Sequence, residues 1–129
     1  MQGSSTVMAR YASQKRRLEL TFAGEVDGPA YRRCMAEWLY RHPDAVAADW
    51  IYDLRQYRGS VSQDDVLSFV HLYEAAAAGQ DGGARSVFIT PDPGFRPWLQ
   101  ACATAFPRRV LIVVDTPEEA EAMLARQAA

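Results

Sequence analysis

Between Trp50 and Tyr73 the chain passes from an apolar strand pattern, through a polar loop, into a capped helix. That order restricts the fold more than any other feature of its 129 residues. Trp50, Tyr52 and Leu54 alternate onto one face of the strand and Ile51 takes the other. Bulky residues on both faces predict a central strand covered on both sides. Ser62 reads as an N-cap, and Asp65 three residues later completes a capping-box pattern. Val66, Phe69, Val70 and Tyr73 then recur at helical spacing. A buried strand leading into a helix implies a crossover back to a parallel neighbour. In open α/β sheets, ligands gather at the carboxyl ends of strands, so the loop after Leu54 is the first place to look for function.

The remainder of the chain repeats the pattern. Val7 to Tyr11 and Leu18 to Phe22 read as two strands of an antiparallel edge hairpin, with Lys15, Arg16 and Arg17 as a solvated cluster at its tip. Asp27 and Pro29 open a helix whose stripe is Tyr31, Cys34, Met35, Trp38 and Leu39; Pro43 stops it. Val87 to Ile89 is a short buried strand. A third helix begins near Phe95, because Pro97 fits only a first turn, and carries Phe95, Trp98, Leu99, Cys102 and Phe106 on one side. Val110 to Val114 is five aliphatics in succession and gives the strongest buried-strand signal. Thr116, Pro117 and Glu119 begin the last helix. The expected architecture is α/β, a mostly parallel sheet of about five strands with an N-terminal antiparallel edge hairpin and four helices. Residues 1–6 are expected as a flexible tail and 7–129 as one domain.

Composition and motifs exclude several classes of function. The formal net charge is −2, so no global field draws nucleic acid or an anionic membrane. No apolar run reaches the roughly 18 residues of a membrane span. Lys15 is the only lysine and sits in no phosphate loop, and no Gly-x-Gly-x-x-Gly follows the first strand. Asp53 near a strand end invites comparison with a phosphoacceptor receiver, but no lysine follows a late strand; Asp115 stands there. No Gly-x-Ser-x-Gly elbow accompanies either histidine. His42 fits a helix end, and His71 has no partner at metal spacing. Glu118, Glu119 and Glu121 read as helix-start and solvated acids. Cys34 and Cys102 read as buried, unbonded thiols, which suits a reducing cytoplasm. The expectation is a cytoplasmic chain without catalytic residues, metal or cofactor.

The chain resembles the STAS-like, or SpoIIAA-like, family from about Arg16 to Arg126. The resemblance rests on Leu18 to Gly24, the helix after Asp27, Trp50 to Arg55, Gly59 to Asp65 and Thr116 to Leu124, with Asp53-Leu54-Arg55 and Glu119-Ala120 the best matches. It implies a β-α superhelix, a sheet lined by helices. Regulatory members are anti-sigma-factor antagonists with an Asp-Ser-Ser-Gly run whose serine a partner kinase phosphorylates. Here the matching stretch is Val61-Ser62-Gln63-Asp64; the run is absent, and capping accounts for Ser62. The wider group is also similar to lipid-binding domains of the Sec14 type.

Two functional expectations follow. The first is a non-enzymatic domain that binds a protein partner, regulatory in role, through Arg55, Tyr57, Arg58, Ser60 and Ser62; a homodimer is compatible with it. Arginine and tyrosine favour protein contacts, and a helix start favours an anionic group. The second is a carrier or sensor of a small apolar or lipid-like ligand, in a pocket lined by Trp38, Trp50, Phe69, Phe88, Phe95 and Trp98. An apolar cavity with a mouth would favour the second reading, and a filled core with an exposed loop the first.

Overall fold

The structure, a computed structural model, describes residues 6–125. Residues 1–5 of the expected tail lie outside them, while Thr6 already belongs to the first strand. The elements are β1 (Thr6–Ala12), β2 (Arg17–Gly24), α1 (Gly28–Arg41), β3 (Asp49–Tyr57), α2 (Gln63–Ala77), β4 (Arg85–Ile89), α3 (Phe95–Ala103), β5 (Val110–Val114) and α4 (Pro117–Ala125). Short 3-10 turns fill Ser13–Lys15 and Pro43–Ala47. The five strands lie in sequence order; β1 and β2 are antiparallel and every later pair is parallel. The α/β architecture read from the pattern is the one observed.

Local chemistry sets the helix starts. The Asp27 carboxylate accepts from the Ala30 N–H at 2.9 Å. Ser62 and Asp65 exchange bonds as a full capping box. Glu119 Oε1 accepts from the Asp115 N–H at 2.8 Å, and the Glu119 N–H donates to Thr116 Oγ1 at 3.1 Å. α3 is the exception: Gly94 precedes it with no side-chain cap, and the helix ends at Ala103, so Phe106 sits in the turn beyond.

Alternation along β3 sorts the core. Trp50, Tyr52 and Leu54 join the larger cluster with Tyr31, Met35 and Leu39 of α1 and Val66, Phe69 and Tyr73 of α2. Ile51 joins Val87, Ile89 and Val114 against Ala120 and Leu124 of α4. Each fully buried side chain of this size contributes about 1.5–3 kcal/mol relative to exposure.

Three expectations need correction. Val110–Val114 is not a buried strand throughout: β5 is a sheet edge, Val110 is 49% exposed, and only Val114 is buried. An apolar run reports which residues avoid water but not whether another strand lies alongside. Arg17 does not decorate the hairpin tip; it is buried, and its Nη1 donates to both Glu121 oxygens at 3.0 and 2.9 Å. Glu121 therefore ties α4 to β2 rather than standing free in solvent. Cys102 is buried but Cys34 only half-buried, and both are free thiols. Burial, helped by Glu37, pushes the Cys34 thiol up to about 11.

Candidate functional site

The loop from β3 to α2 is short and strapped down. The Arg58 N–H donates to Gly24 O at 2.9 Å and the Ser60 N–H to Val26 O at 3.1 Å, tying it to the loop before α1. The Tyr57 hydroxyl accepts from the Val61 N–H at 3.2 Å. Gly59 makes that fold possible: a Cβ there would stand 1.9 Å from Tyr57 Cε1. The side chains of Arg58 and Ser60 are exposed. Ser62 Oγ accepts from the Asp65 N–H at 3.2 Å and donates to Asp65 Oδ2 at 2.9 Å. The bonds that Ser62 gives Asp65, first from its backbone and then from its hydroxyl, hold that carboxyl below its usual range.

The structure splits the candidate loop residues between two faces. Arg55 folds back on Asp53, Nε to Oδ1 at 2.9 Å and Nη2 to Oδ2 at 2.7 Å, on the face that Ile51 shares. Strict alternation would put Tyr57 there too. Between Thr21 and Ala23 of β2, however, the register on β3 advances from Asp53 to Gln56, one extra residue. That bulge returns Tyr57 to the side of Trp50, Tyr52 and Leu54, where its ring meets Phe22 edge-on at 6.0 Å.

On that side an apolar cleft opens between the sheet, α2 and α3. Its volume is about 70 Å³. Of the six aromatics expected to line a pocket, Trp50, Phe88, Phe95 and Trp98 do so. Trp38 instead stacks on His42 at 4.8 Å, and Phe69 packs edge-on against Tyr31 at 6.0 Å in the filled core. The sequence reading missed Tyr31, Tyr52, Tyr57 and Val61 as lining residues. Tyr57 and Val61 belong to the loop region, so the two candidate sites meet at the cleft's rim. Helical and strand spacing carried the signal for Tyr31 and Tyr52, both on apolar stripes.

Arg109, just before β5, forms the polar end of the cleft and was also missed. It is 6% exposed, and all five of its N–H groups are used. Nε donates to Ser86 Oγ at 2.9 Å, Nη1 to Val46 O at 2.9 Å and the Tyr73 hydroxyl at 3.2 Å, and Nη2 to Ala48 O at 2.8 Å and Arg85 O at 3.0 Å. Its guanidinium lies 4.5 Å from the centre of the Trp50 ring. The Tyr73 hydroxyl in turn donates to the buried Asp81 at 2.6 Å, and Asp81 accepts from Arg108 Nε at 2.6 Å. Burial alone would raise the Asp81 carboxyl, but the hydrogen bonds from Tyr73 and Arg108, together with a backbone bond and the Arg108 charge, hold it low. Among the described residues no group of three His, Cys, Asp or Glu is placed to hold a metal ion, and no helix is long and apolar enough to cross a membrane.

Against solved structures, the chain aligns along nearly its whole length with the anti-sigma factor antagonist SpoIIAA in its unphosphorylated form. The TM-score is 0.60 at 14% identity, covering 95% of this chain and 99% of that one. The fold is SpoIIAA-like. The phosphorylated form of the Bacillus cell fate determinant SpoIIAA aligns with TM-score 0.56 at 18% identity, over 92% of this chain and 99% of that one. An uncharacterised DUF3478-family protein with a SpoIIAA-like fold from Shewanella loihica PV-4 gives 0.61 at 13% identity, over 96% and 98%. No family model matches the sequence, and no curated protein matches it significantly. At these identities the likeness carries the fold, and the site must be argued from its own residues.

Proposed function

We propose that this SpoIIAA-like chain is a non-enzymatic binding domain whose site is the apolar cleft beneath α3. The observation that carries the reading is a concave space walled almost wholly by aromatic and aliphatic side chains, with few polar groups. Small-ligand sites have this composition. The candidate nucleophiles and bases lie elsewhere or are already committed: Ser62 caps α2, His42 is stacked on Trp38, and His71 is exposed on α2. Titration with xenon, an uncharged apolar probe small enough for a space of about 70 Å³, followed by its chemical shift, tests the reading. Native protein should bind it with 1:1 stoichiometry. Leu111→Phe, which fills the cleft from β5 while circular dichroism confirms folding, should abolish that binding. Unaltered binding in the filled variant, or none in the native protein, rejects the cleft as the site.

A second reading assigns the rim to a protein partner. The strapped loop is preorganised and presents Arg58 and Ser60 outward, which lowers the ordering cost of a contact. One protein of similar fold is an anti-sigma factor antagonist. This chain has Val-Ser-Gln-Asp at 61–64 where the resemblance would place Asp-Ser-Ser-Gly, so the contact proposed here does not depend on a phosphorylated serine. A partner retained by the native chain and lost with Arg58→Glu, but kept by Arg55→Ala on the opposite face, supports it. Retention by Arg58→Glu excludes the rim.

A further inference from the structure

The outer side of the helical layer carries a second concave surface. α1 buries Tyr31, Met35 and Leu39 in the main core, while Arg33, Ala36, Glu37 and Tyr40 follow at i, i+3, i+4 and i+7 along another side. From α2, Leu72 and Ala76, one turn apart, face that second stripe. Together they bound an open groove of about 610 Å³. Tyr40 is 90% exposed and Leu72 46%. One apolar side chain in water is ordinary. Here an aromatic ring, a leucine and two alanines share one concave surface, and tyrosine is enriched where proteins meet. No residue of the groove lines the cleft beneath α3, so its role is separate from ligand binding there.

The charges on the rim decide what the groove fits. Arg33 and Glu37 stand one turn apart on the outer stripe, opposite in sign and both exposed. Arg33 has no ion-pair partner among the described residues. Glu37 has only Arg41, at 3.9 Å between side chains that are 58% and 60% exposed, a pairing of little strength. A uniformly acidic partner would meet Glu37 and a uniformly basic one Arg33. A second copy of this chain avoids both conflicts. A two-fold axis crossing α1 at Ala36 runs the two α1 helices antiparallel and repeats every contact in both directions. At 1.5 Å per residue, Glu37 of the other copy then lies about 3 Å along the helix from Arg33, and its Tyr40 about 1.5 Å, both within reach of an arginine side chain. Ala36 at the crossing offers only a methyl group, which lets the helices approach closely.

We propose that the chain forms a two-fold homodimer through this groove. Ala36 lies at the crossing, Arg33 of each copy pairs with Glu37 of the other, and each Tyr40 ring lies on the other copy's Arg33 guanidinium.

Sedimentation equilibrium of the full chain tests it, with circular dichroism confirming that each variant folds; Arg33, Glu37 and Tyr40 are all exposed. The native chain should dimerise below about 1 mM. Arg33→Glu and Glu37→Arg should each weaken the dimer at least about tenfold, because each sets like charges against one another at both symmetry-related contacts. An equal mixture of the two single variants restores opposite charges, and so does the double variant Arg33→Glu/Glu37→Arg. Both should dimerise within about threefold of the native affinity. Tyr40→Ala should weaken the dimer about tenfold. A native chain that stays monomeric up to about 1 mM overturns the proposal and leaves the groove to a different protein. A dimer that neither charge variant weakens forms through another face and overturns it too. Weakening that neither the mixture nor the double variant recovers overturns the Arg33–Glu37 pairing. Xenon binding in the cleft reads none of these residues, so either reading can fail while the other stands.

Discussion

α1 and α2 enter through side-chain caps, Asp27 and Ser62, and their stripes fill the space over β2 and β3 down to Tyr73, Met35 and Trp50 at 0–1% exposure. α3 lies over the same sheet face with no cap, spans nine residues, and keeps Phe95 and Trp98 half-buried above a hollow. The sheet beneath is continuous, so the difference arises in the helices. Side chains at α1 and α2 close space, apart from Tyr31 and Val66, which stand in the cleft wall. Those at α3 enclose it, and the segments that serve ligands come from the less stable end of a structure.

The sharpest break in this comparison falls at the junction. Arg109→Met keeps bulk in place but leaves the carbonyls of Val46, Ala48 and Arg85 without their donor. Removing one side of such a buried charged network costs about 3–5 kcal/mol, read as a shift in the urea midpoint. Arg109→Lys should recover less than half, since a point charge cannot reach five acceptors in a plane. A loss below about 1 kcal/mol would mean that water replaces the guanidinium and that the floor is not rigid.

Next come two aromatics on opposite sides of the divide. Phe69→Ala, in the filled region at 3% exposure, should cost about 3–5 kcal/mol. Trp98→Ala removes a larger ring yet should cost only about 1–2 kcal/mol, because that ring already borders the cleft and solvent. Equal losses would show that α3 packs as tightly as α2.

Acid should separate the regions as well. Asp81 is held low by Tyr73 and Arg108 on the filled side. A depressed carboxyl stabilises the fold fully above the unfolded value of about 3.9 and loses that contribution as pH falls through the folded value. Asp81→Asn should therefore make the loss of stability below about pH 4 shallower. An unchanged acid limb would place the sensitivity in other carboxylates.

Legibility in the sequence follows the same divide. Period and caps carried β3, α1, α2 and α4, because those elements obey alternation, stripe and cap chemistry together. Tyr57 was placed in the loop group but not in the cleft, since one extra residue in β3 reverses its face and no local pattern announces a bulge. Val110 to Val114 read as buried along its whole length because composition does not tell a sheet edge from a strand with neighbours on both sides. Arg109 carried no signal: a charged residue before a strand ordinarily faces water, and its five acceptors come from Val46, Ala48, Tyr73, Arg85 and Ser86, remote in sequence. Four of the six pocket aromatics were legible from their stripes. Trp38 and Phe69 share those stripes but sit over the filled part of the sheet.

The smallest effects test the caps, and they should have opposite signs. Ser62→Ala removes the α2 cap and should cost about 0.5–2 kcal/mol. At the corresponding position of α3, Gly94 has φ −76° and ψ −13°, helical values that any residue adopts, and a Cβ there would meet nothing closer than Asp92 Oδ1 at 3.5 Å. Gly94→Ala should therefore stabilise by about 0.4–1 kcal/mol through the unfolded chain's lost freedom. Gly59→Ala is the control for the direction of that gain, because its Cβ would collide with the Tyr57 ring at 1.9 Å and the loop would have to yield. Calorimetric melting of the three variants orders them as Gly94→Ala above native and the other two below. A fall in melting temperature for Gly94→Ala would mean that the entry to α3 needs glycine's freedom to move, and α3 would then be a mobile element rather than a merely uncapped one.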